Sequence, residues 1–240
     1  MKSALFIAVA LSAALPARAE DWTVRMKAVN GRQTYSVSLK NSPGRQAAYD
    51  GKAGARGPGA SSDVIFKTYL DSPREGVFRL DYQAEVAGKN RARPPFQAAG
   101  KVLLLPGKPV LAADAGGWKL ILELEGEYEG KPPRPGSGVL DAKLKCGRYS
   151  YPVSFAYLPN EQYSAVVYGG SDEEPLKFMI GLLPAAAGAD GEFELQYTLQ
   201  LKEGAETLAD SSGSMVLEPG GPRPAASAGK GCVFSAKASR

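Results

Sequence analysis

Two stretches of the sequence, 76-GVFRLDYQAEV-86 and 191-GEFELQYTLQL-201, decide the fold. Within each stretch apolar residues alternate with polar or charged residues, which turns one face of a β-strand toward a core and the other toward water. The stretches also match each other without a gap. The matching pairs are Gly76 and Gly191, Phe78 and Phe193, Leu80 and Leu195, and Tyr82 and Tyr197. This pattern indicates one structural unit that occurs twice.

The repeat extends well beyond this strand. At an offset of 116 residues, the block 31–46 falls on 147–162 with seven identities. At an offset of 113 residues, the block 100–113 falls on 213–226, again with seven identities. Chance rarely preserves order, spacing and residue type together, so we interpret the chain as a tandem duplication. The expected organisation is a signal peptide over 1–19, a first β-sandwich repeat over 20–126, a Pro/Gly-rich linker over 127–138 and a second repeat over 139–240, with a separate core in each repeat.

The expected fold class is all-β, with two tandem homologous antiparallel β-sandwich domains of the Ig-like or small-barrel kind. Short alternating segments separated by Gly/Pro turns, with no helical periodicity between them, are typical of such folds. The repeated Pro-Gly pairs, Pro106-Gly107 and Pro219-Gly220, suit a structural hairpin or a corner between sheets. In the first repeat, strands are predicted near 22–29, 33–40, 46–50, 63–70, 76–88, 97–105, 109–114 and 117–125, of which the third and seventh are weakly marked.

The first nineteen residues have the pattern of an export signal. Lys2 is followed by the apolar run Ala4–Leu15 and by the small-x-small site Ala17-Arg18-Ala19. The run is shorter than the ~20 residues that span a bilayer, although a buried N-terminal helix is the alternative interpretation. We therefore expect a mature chain that begins near Glu20, has no integral membrane segment and works in the periplasm or outside the cell.

The two cysteines, Cys146 and Cys232, both lie in the second repeat. In an exported chain a pair of cysteines most simply forms one disulfide. The repeat alignment places them on the opening and closing strands of that unit. Two separate thiols and an intermolecular link are the alternatives. A metal site is disfavoured, because the chain has no histidine and two thiolates do not complete a tetrahedral set.

The charge is nearly balanced overall but not between the halves. Residues 20–126 contain 16 basic and 11 acidic side chains, whereas residues 139–240 contain 9 and 12. The small total gives no reason to expect a nucleic-acid partner. Opposite signs on two similar units can steer a head-to-tail contact, although simple drift of surface residues also produces such a difference.

The absence of histidine removes the usual catalytic constellations. Ser-His-Asp triads, Cys-His dyads and histidine acid–base catalysis all require it. A glycosidase needs two carboxylates that face each other across a cleft, and no acidic pair stands out here. Nearly all of those on or near strands fall at outward positions; the set is Asp81, Glu85, Glu123, Glu125, Glu192 and Glu194. We expect no catalytic residues, no cofactor and no bound metal.

One segment is a candidate binding loop. Lys89, Arg91 and Arg93 concentrate positive charge, and Phe96 follows them. They would suit an anionic glycan, a lipid headgroup or an acidic partner. The alternative is a charged hairpin tip that prevents sheets from joining edge to edge.

Three functions remain open at this stage. The first is an exported, non-catalytic protein that binds another envelope or extracellular protein. The second is a carbohydrate-binding module or a weak carboxylate-dependent glycan hydrolase. The third is a structural subunit of a surface fibre or secretion apparatus.

Overall fold

The computed structural model describes residues 21–31, 33–53, 55–56, 62–71, 76–87, 95–127, 138–170, 175–185 and 192–239. All regular secondary structure in these ranges is β. They contain no helix long and apolar enough to cross a membrane. The predicted signal peptide and most of the predicted linker lie outside the described residues. We call residues 21–127 the first half and residues 138–239 the second half.

The described residues form seventeen strands. Those of the first half are β1 (Trp22–Asn30), β2 (Gln33–Asn41), β3 (Arg45–Ala53), β4 (Ala55–Arg56), β5 (Ser62–Leu70), β6 (Phe78–Val86), β7 (Phe96–Leu104), β8 (Val110–Ala115) and β9 (Trp118–Leu124). Those of the second half are β10 (Gly138–Cys146), β11 (Tyr149–Tyr157), β12 (Tyr163–Gly170), β13 (Pro175–Pro184), β14 (Phe193–Glu203), β15 (Glu206–Leu217), β16 (Ala225–Ser227) and β17 (Cys232–Ser239).

The strands form two antiparallel sheets, which confirms the all-β sandwich class. One sheet has the order β16-β17-β10-β11-β8-β9-β1-β2-β4, and the other has the order β15-β14-β13-β12-β7-β6-β5-β3. We call them sheet A and sheet B. Each sheet contains strands of both halves, so each crosses from one half into the other.

The core follows from the alternation read in the sequence. Along β6 the side chains of Phe78, Leu80 and Tyr82 are buried, and along β14 those of Phe193 and Leu195 are buried. The buried side chains of the two halves belong to one hydrophobic cluster. The expectation of a separate core in each repeat was therefore wrong, because both sheets continue through the boundary and carry their apolar faces with them.

The Pro-Gly pairs mark corners between the sheets. The pair Pro106-Gly107 lies between β7 of sheet B and β8 of sheet A, and Pro219-Gly220 lies between β15 and β16 in the same way. Gly107 has a φ of 71° and Gly220 a φ of 82°, the left-handed region that favours glycine. Of the two predicted roles, the corner between sheets is the one that the structure has.

The disulfide has the expected partners. Cys146 on β10 and Cys232 on β17 are bonded, and their Cα atoms are 4.2 Å apart. They are also paired directly across the two strands. The corresponding pair in the first half is Asn30 with Trp118, which lie opposite each other on β1 and β9.

Candidate functional site

The strand order shows how the two halves meet. In sheet B, β12 pairs with β7 so that Ser164 lies opposite Ala99. In sheet A, β11 pairs with β8 so that Ser154 lies opposite Asp114. We call these two strand pairings together the junction. The junction joins the β11/β12 edge of the second half to the β7/β8 edge of the first half.

Two glycines let the backbones approach at the junction. A Cβ on Gly100 would lie 2.5 Å from the Cδ1 atom of Tyr163, so only glycine admits that ring. A Cβ on Gly116 would collide with the side chain of Val167. Tyr163 is completely buried. Its hydroxyl accepts a hydrogen bond from the Leu158 amide (2.6 Å) and donates one to the Lys101 carbonyl (3.0 Å).

A cluster of charged side chains closes the outer side of the junction. Glu161, in the loop before β12, reaches the guanidinium of Arg79 and the ammonium of Lys101, whose Nζ is 2.8 Å from its Oε2. The hydrogen bond to Glu161 raises the pKa of Lys101. Asp81 lies 3.5 Å from the same ammonium, and partial burial raises the pKa of its carboxyl. The cluster ties the second half to β6 and β7.

The first half presents an open edge. In the described residues, no strand pairs with the outer side of β3, the last strand of sheet B. On β2 in sheet A, the short strand β4 pairs only with Thr34 and Tyr35. The rest of that side of β2 has no strand partner among the described ranges. We call β3 together with this part of β2 the β3 edge.

The second half presents the other open edge. The structure shows β15 as the last strand of sheet B and β16 as the last strand of sheet A, with no described strand beyond either. We call these two strands the β15 edge. Its side chains are small and polar in the middle of β15, where Ser212, Gly213 and Ser214 are exposed. Val216 is 61% exposed, an unusual apolar position on an edge strand.

A shallow groove lies beside the β15 edge on the outer face of sheet B. It has a volume of about 550 Å³ and continues into a second groove of about 540 Å³. Its polar lining consists mainly of hydroxyl and amide side chains, including Gln162, Gln196, Thr198, Ser212 and Ser214. These groups can donate and accept hydrogen bonds without carrying charge.

The predicted binding loop does not form a described site. Lys89, Arg91 and Arg93 lie outside the described residues. Phe96 is on β7 with its ring fully buried, 5.7 Å from the ring of Trp118. The assignment of Phe96 to a surface loop was therefore wrong, because the alternation that continues through β7 turns this ring into the core.

The other carboxylates singled out in the sequence lie beside a partner side chain or are exposed. Glu123 and Glu125 both approach Arg25. Glu85 accepts a hydrogen bond from Gln97 (2.8 Å), and Glu192 and Glu194 are exposed. Within the described ranges, no group of three or more Cys, Asp or Glu side chains is arranged to hold a metal ion.

Sequence reasoning missed both open edges. The repeat itself contained the signal. The two halves have the same strand order, so the edges through which they join are covered, and the counterparts of those edges in the opposite half are left open. The alignment did not reveal which edges join, because the alternation of apolar and polar residues along a strand does not determine which strand of the other unit pairs with it. No protein-family model, curated protein or solved structure matches this chain.

Proposed function

We propose that this chain is an exported, non-catalytic protein that binds other proteins through the open edges of its two sheets. The observation that carries the proposal is the β3 edge. A nine-residue strand, Arg45–Ala53, ends sheet B and has a described partner, β5, on one side alone. Such an edge offers unpaired amides and carbonyls that an added strand can satisfy, which is a common mode of protein recognition.

Export is supported by two independent features. The segment 1–19 carries the charged, apolar and small-residue regions of a signal peptide. The disulfide between Cys146 and Cys232 belongs to an oxidising compartment. Together they favour a mature protein of the periplasm or the extracellular space.

A non-catalytic role is supported by the composition and by the placement of acidic groups. The chain has no histidine. At the junction Asp81 and Glu161 lie beside Lys101, and Glu161 links the second half to the first. Carboxylates in ion pairs of this kind stabilise the structure, and this role does not require a cleft that holds a substrate.

The test is site-specific photo-crosslinking in the native envelope. A photoreactive amino acid placed at Ala48 on β3, or at Ser212 on β15, should form covalent adducts with a protein that mass spectrometry then identifies. Lys145 is the matched control, because it is exposed but lies on β10, which is paired on both sides. Purified partner should then bind the unmodified chain. Adducts at Lys145 alone, or none at either edge, would reject the proposal.

The groove beside β15 favours a second candidate, glycan binding. Uncharged hydroxyl and amide groups such as Thr198 and Gln196 suit the hydroxyls of a sugar. A glycan array probed with the mature chain and with a Thr198→Val variant tests this. Binding that the variant loses supports a glycan site, and an array without signal excludes it.

A further inference from the structure

The two halves have the same strand order in both sheets. In sheet A, β8-β9-β1-β2 of the first half matches β16-β17-β10-β11 of the second. In sheet B, β7-β6-β5-β3 matches β15-β14-β13-β12. Pairing within the sheets supports the match: Tyr82 lies opposite Gly100, and Tyr197 lies opposite Gly213. Each of these eight strands of the first half therefore has a counterpart in the second half, whereas the short strand β4 has none among the described residues.

The junction joins unlike edges of two like units. The β11/β12 edge of the second half is covered, while its counterpart in the first half, the β3 edge, is open. The β7/β8 edge of the first half is covered, while its counterpart in the second half, the β15 edge, is open. A head-to-tail contact of this kind does not close on itself, so it repeats without limit unless its rotation forms a ring.

We propose that the β3 edge of one copy docks on the β15 edge of a second copy in the register of the junction, so that copies assemble head to tail into a fibre. This deepens the function proposed above and rests on it, because it names the partner as the chain itself. Both sheets would then continue from copy to copy as they already continue from half to half.

The junction dictates the register of this contact. Ser164 lies opposite Ala99 at the junction, and their counterparts are Ala48 and Ser212. In sheet A, the junction uses Val153–Phe155 of β11, whose counterparts are Val37–Leu39 of β2. The short strand β4 covers Thr34 and Tyr35 only. The part of β2 that the contact needs is therefore the part that no described strand covers.

Charge complementarity recurs at the new contact with its signs exchanged. Arg45 is the counterpart of Glu161, since each directly follows a residue of positive φ, Gly44 (77°) or Asn160 (61°). Glu194 is the counterpart of Arg79: the amide of Asp71 donates to the carbonyl of Arg79, and that of Ala185 donates to the carbonyl of Glu194. The junction pairs Glu161 with Arg79. The contact between copies would pair Arg45 with Glu194.

Both of these side chains are available. Arg45 and Glu194 are exposed, and neither has an ion-pair partner among the described residues. The net charges of the two halves have the same signs as these two side chains: residues 20–126, which contain Arg45, have a net charge of +5, and residues 139–240, which contain Glu194, have a net charge of −3. Opposite charges favour encounter between unlike ends over encounter between like ends.

The contact is weaker than the junction for two reasons. Ala47 occupies the counterpart position of the buried Tyr163, so less apolar surface is covered. Asp50 would also lie opposite Asp210, and like charges directly opposite on paired strands are unfavourable. We therefore expect reversible, concentration-dependent assembly. The Asp50→Asn variant should bind several-fold more tightly.

The geometry gives the fibre a repeat. Sheet B has eight described strands per copy. At a spacing of about 4.8 Å between strands, each copy would advance the fibre by roughly 38 Å. Electron micrographs of concentrated mature protein should show this repeat.

Charge-exchange variants test the pairing of Arg45 with Glu194. In sedimentation velocity, Arg45→Glu and Glu194→Arg should each raise the protein concentration at which half of the copies are assembled, by about tenfold. A chain with both changes, or an equimolar mixture of the two single variants, should recover assembly. Circular dichroism checks that each variant is folded. Assembly that both single variants retain unchanged overturns the pairing.

Cysteine cross-linking tests the register. A chain with Ala48→Cys and Ser212→Cys should give a ladder of disulfide-linked oligomers under mild oxidation. The matched control, Ala48→Cys with Val216→Cys, carries the same number of thiols four positions out of register and should give several-fold less ladder. Equal ladders from both chains, or none from either, contradict the proposal.

The outcomes separate this proposal from the one on which it rests. A mature chain that stays monomeric to millimolar concentration and forms no ladder overturns self-assembly. If that chain still forms photo-adducts with a different protein at Ala48, the interaction function stands and only the partner changes. If it forms adducts at neither edge, both proposals fail.

Discussion

At the scale of single residues, glycine decides where the halves can meet. Gly100 faces the ring of Tyr163 at a distance that admits no side chain. A Cβ on its counterpart, Gly213, would come nearest to the terminal hydroxyl of Tyr197, at 2.9 Å, and would lie 3.2 Å from the Cζ atom of the same ring. The first glycine is confined by a ring packed across the junction, and the second by the tip of a neighbouring side chain.

This difference predicts unequal effects of the same substitution. Gly100→Ala should lower the free energy of unfolding by about 1–3 kcal/mol, because the new methyl group overpacks the junction. Gly213→Ala should cost less, since the tip of Tyr197 can move aside. Denaturant unfolding of the two variants measures both values. Equal losses would show that Tyr163 does not confine Gly100.

Tyr163 also makes the free energy of unfolding depend on pH in the alkaline range. Burial raises the pKa of its phenol above the ordinary value of 10.0, so the folded state favours the neutral form. The resulting stability is complete below pH 10 and is lost as the pH rises above it, because the unfolded phenol ionises first.

The comparison with Tyr163→Phe measures this effect. At pH 7 the unsubstituted chain should be more stable by about 1–3 kcal/mol, since the variant lacks both hydrogen bonds of the hydroxyl. Between pH 10 and pH 11 that advantage should shrink by about 1 kcal/mol. Urea unfolding at each pH gives the values. If the difference in the free energy of unfolding between the two chains stays constant from pH 10 to pH 11, the phenol of Tyr163 is exposed to water.

At the scale of strands, alternation predicted most of the first half. The predicted segment 63–70 and the observed strand Ser62–Leu70 differ by one residue. The weakly marked segment 46–50 proved to be the nine-residue strand β3. Its apolar pattern is faint because Ala47, Tyr49 and Gly51 lie at an edge and are only half-buried. An edge strand covers little core, so it leaves little signal, and this hid the candidate site.

The disulfide links the first and last long strands of the second half. The cysteines are separated by 86 residues. Closing a loop of this length stabilises a fold by up to about 4.6 kcal/mol in the chain-entropy model. The double variant Cys146→Ala/Cys232→Ala should lose up to that amount in guanidinium unfolding, and reduction of the unsubstituted chain should produce the same loss. Unchanged stability on reduction would mean that the bond does not form in solution.

At the scale of the whole molecule, the two halves share their sheets. The repeat in the sequence predicted two similar units but placed a boundary between two cores. Pairing of β12 with β7 and of β11 with β8 removes that boundary. The residue types of β12 do not identify β7 as its partner strand, because Ser164 and Ala165 pair with β7 through backbone groups. The order of strands, and with it the open edges, therefore depends on tertiary packing that local pattern does not encode.

Residue-resolved hydrogen exchange at several protein concentrations tests the head-to-tail arrangement most directly. Amides of Ser164–Val167 that face β7 should be protected at every concentration. Edge-facing amides of β3 and of Ser211–Ser214 should exchange rapidly in dilute protein and become protected as the concentration rises, and Arg45→Glu should shift this protection to about tenfold higher concentration. Exchange at both edges that is independent of concentration, or rapid exchange at Ser164–Val167, would contradict the account.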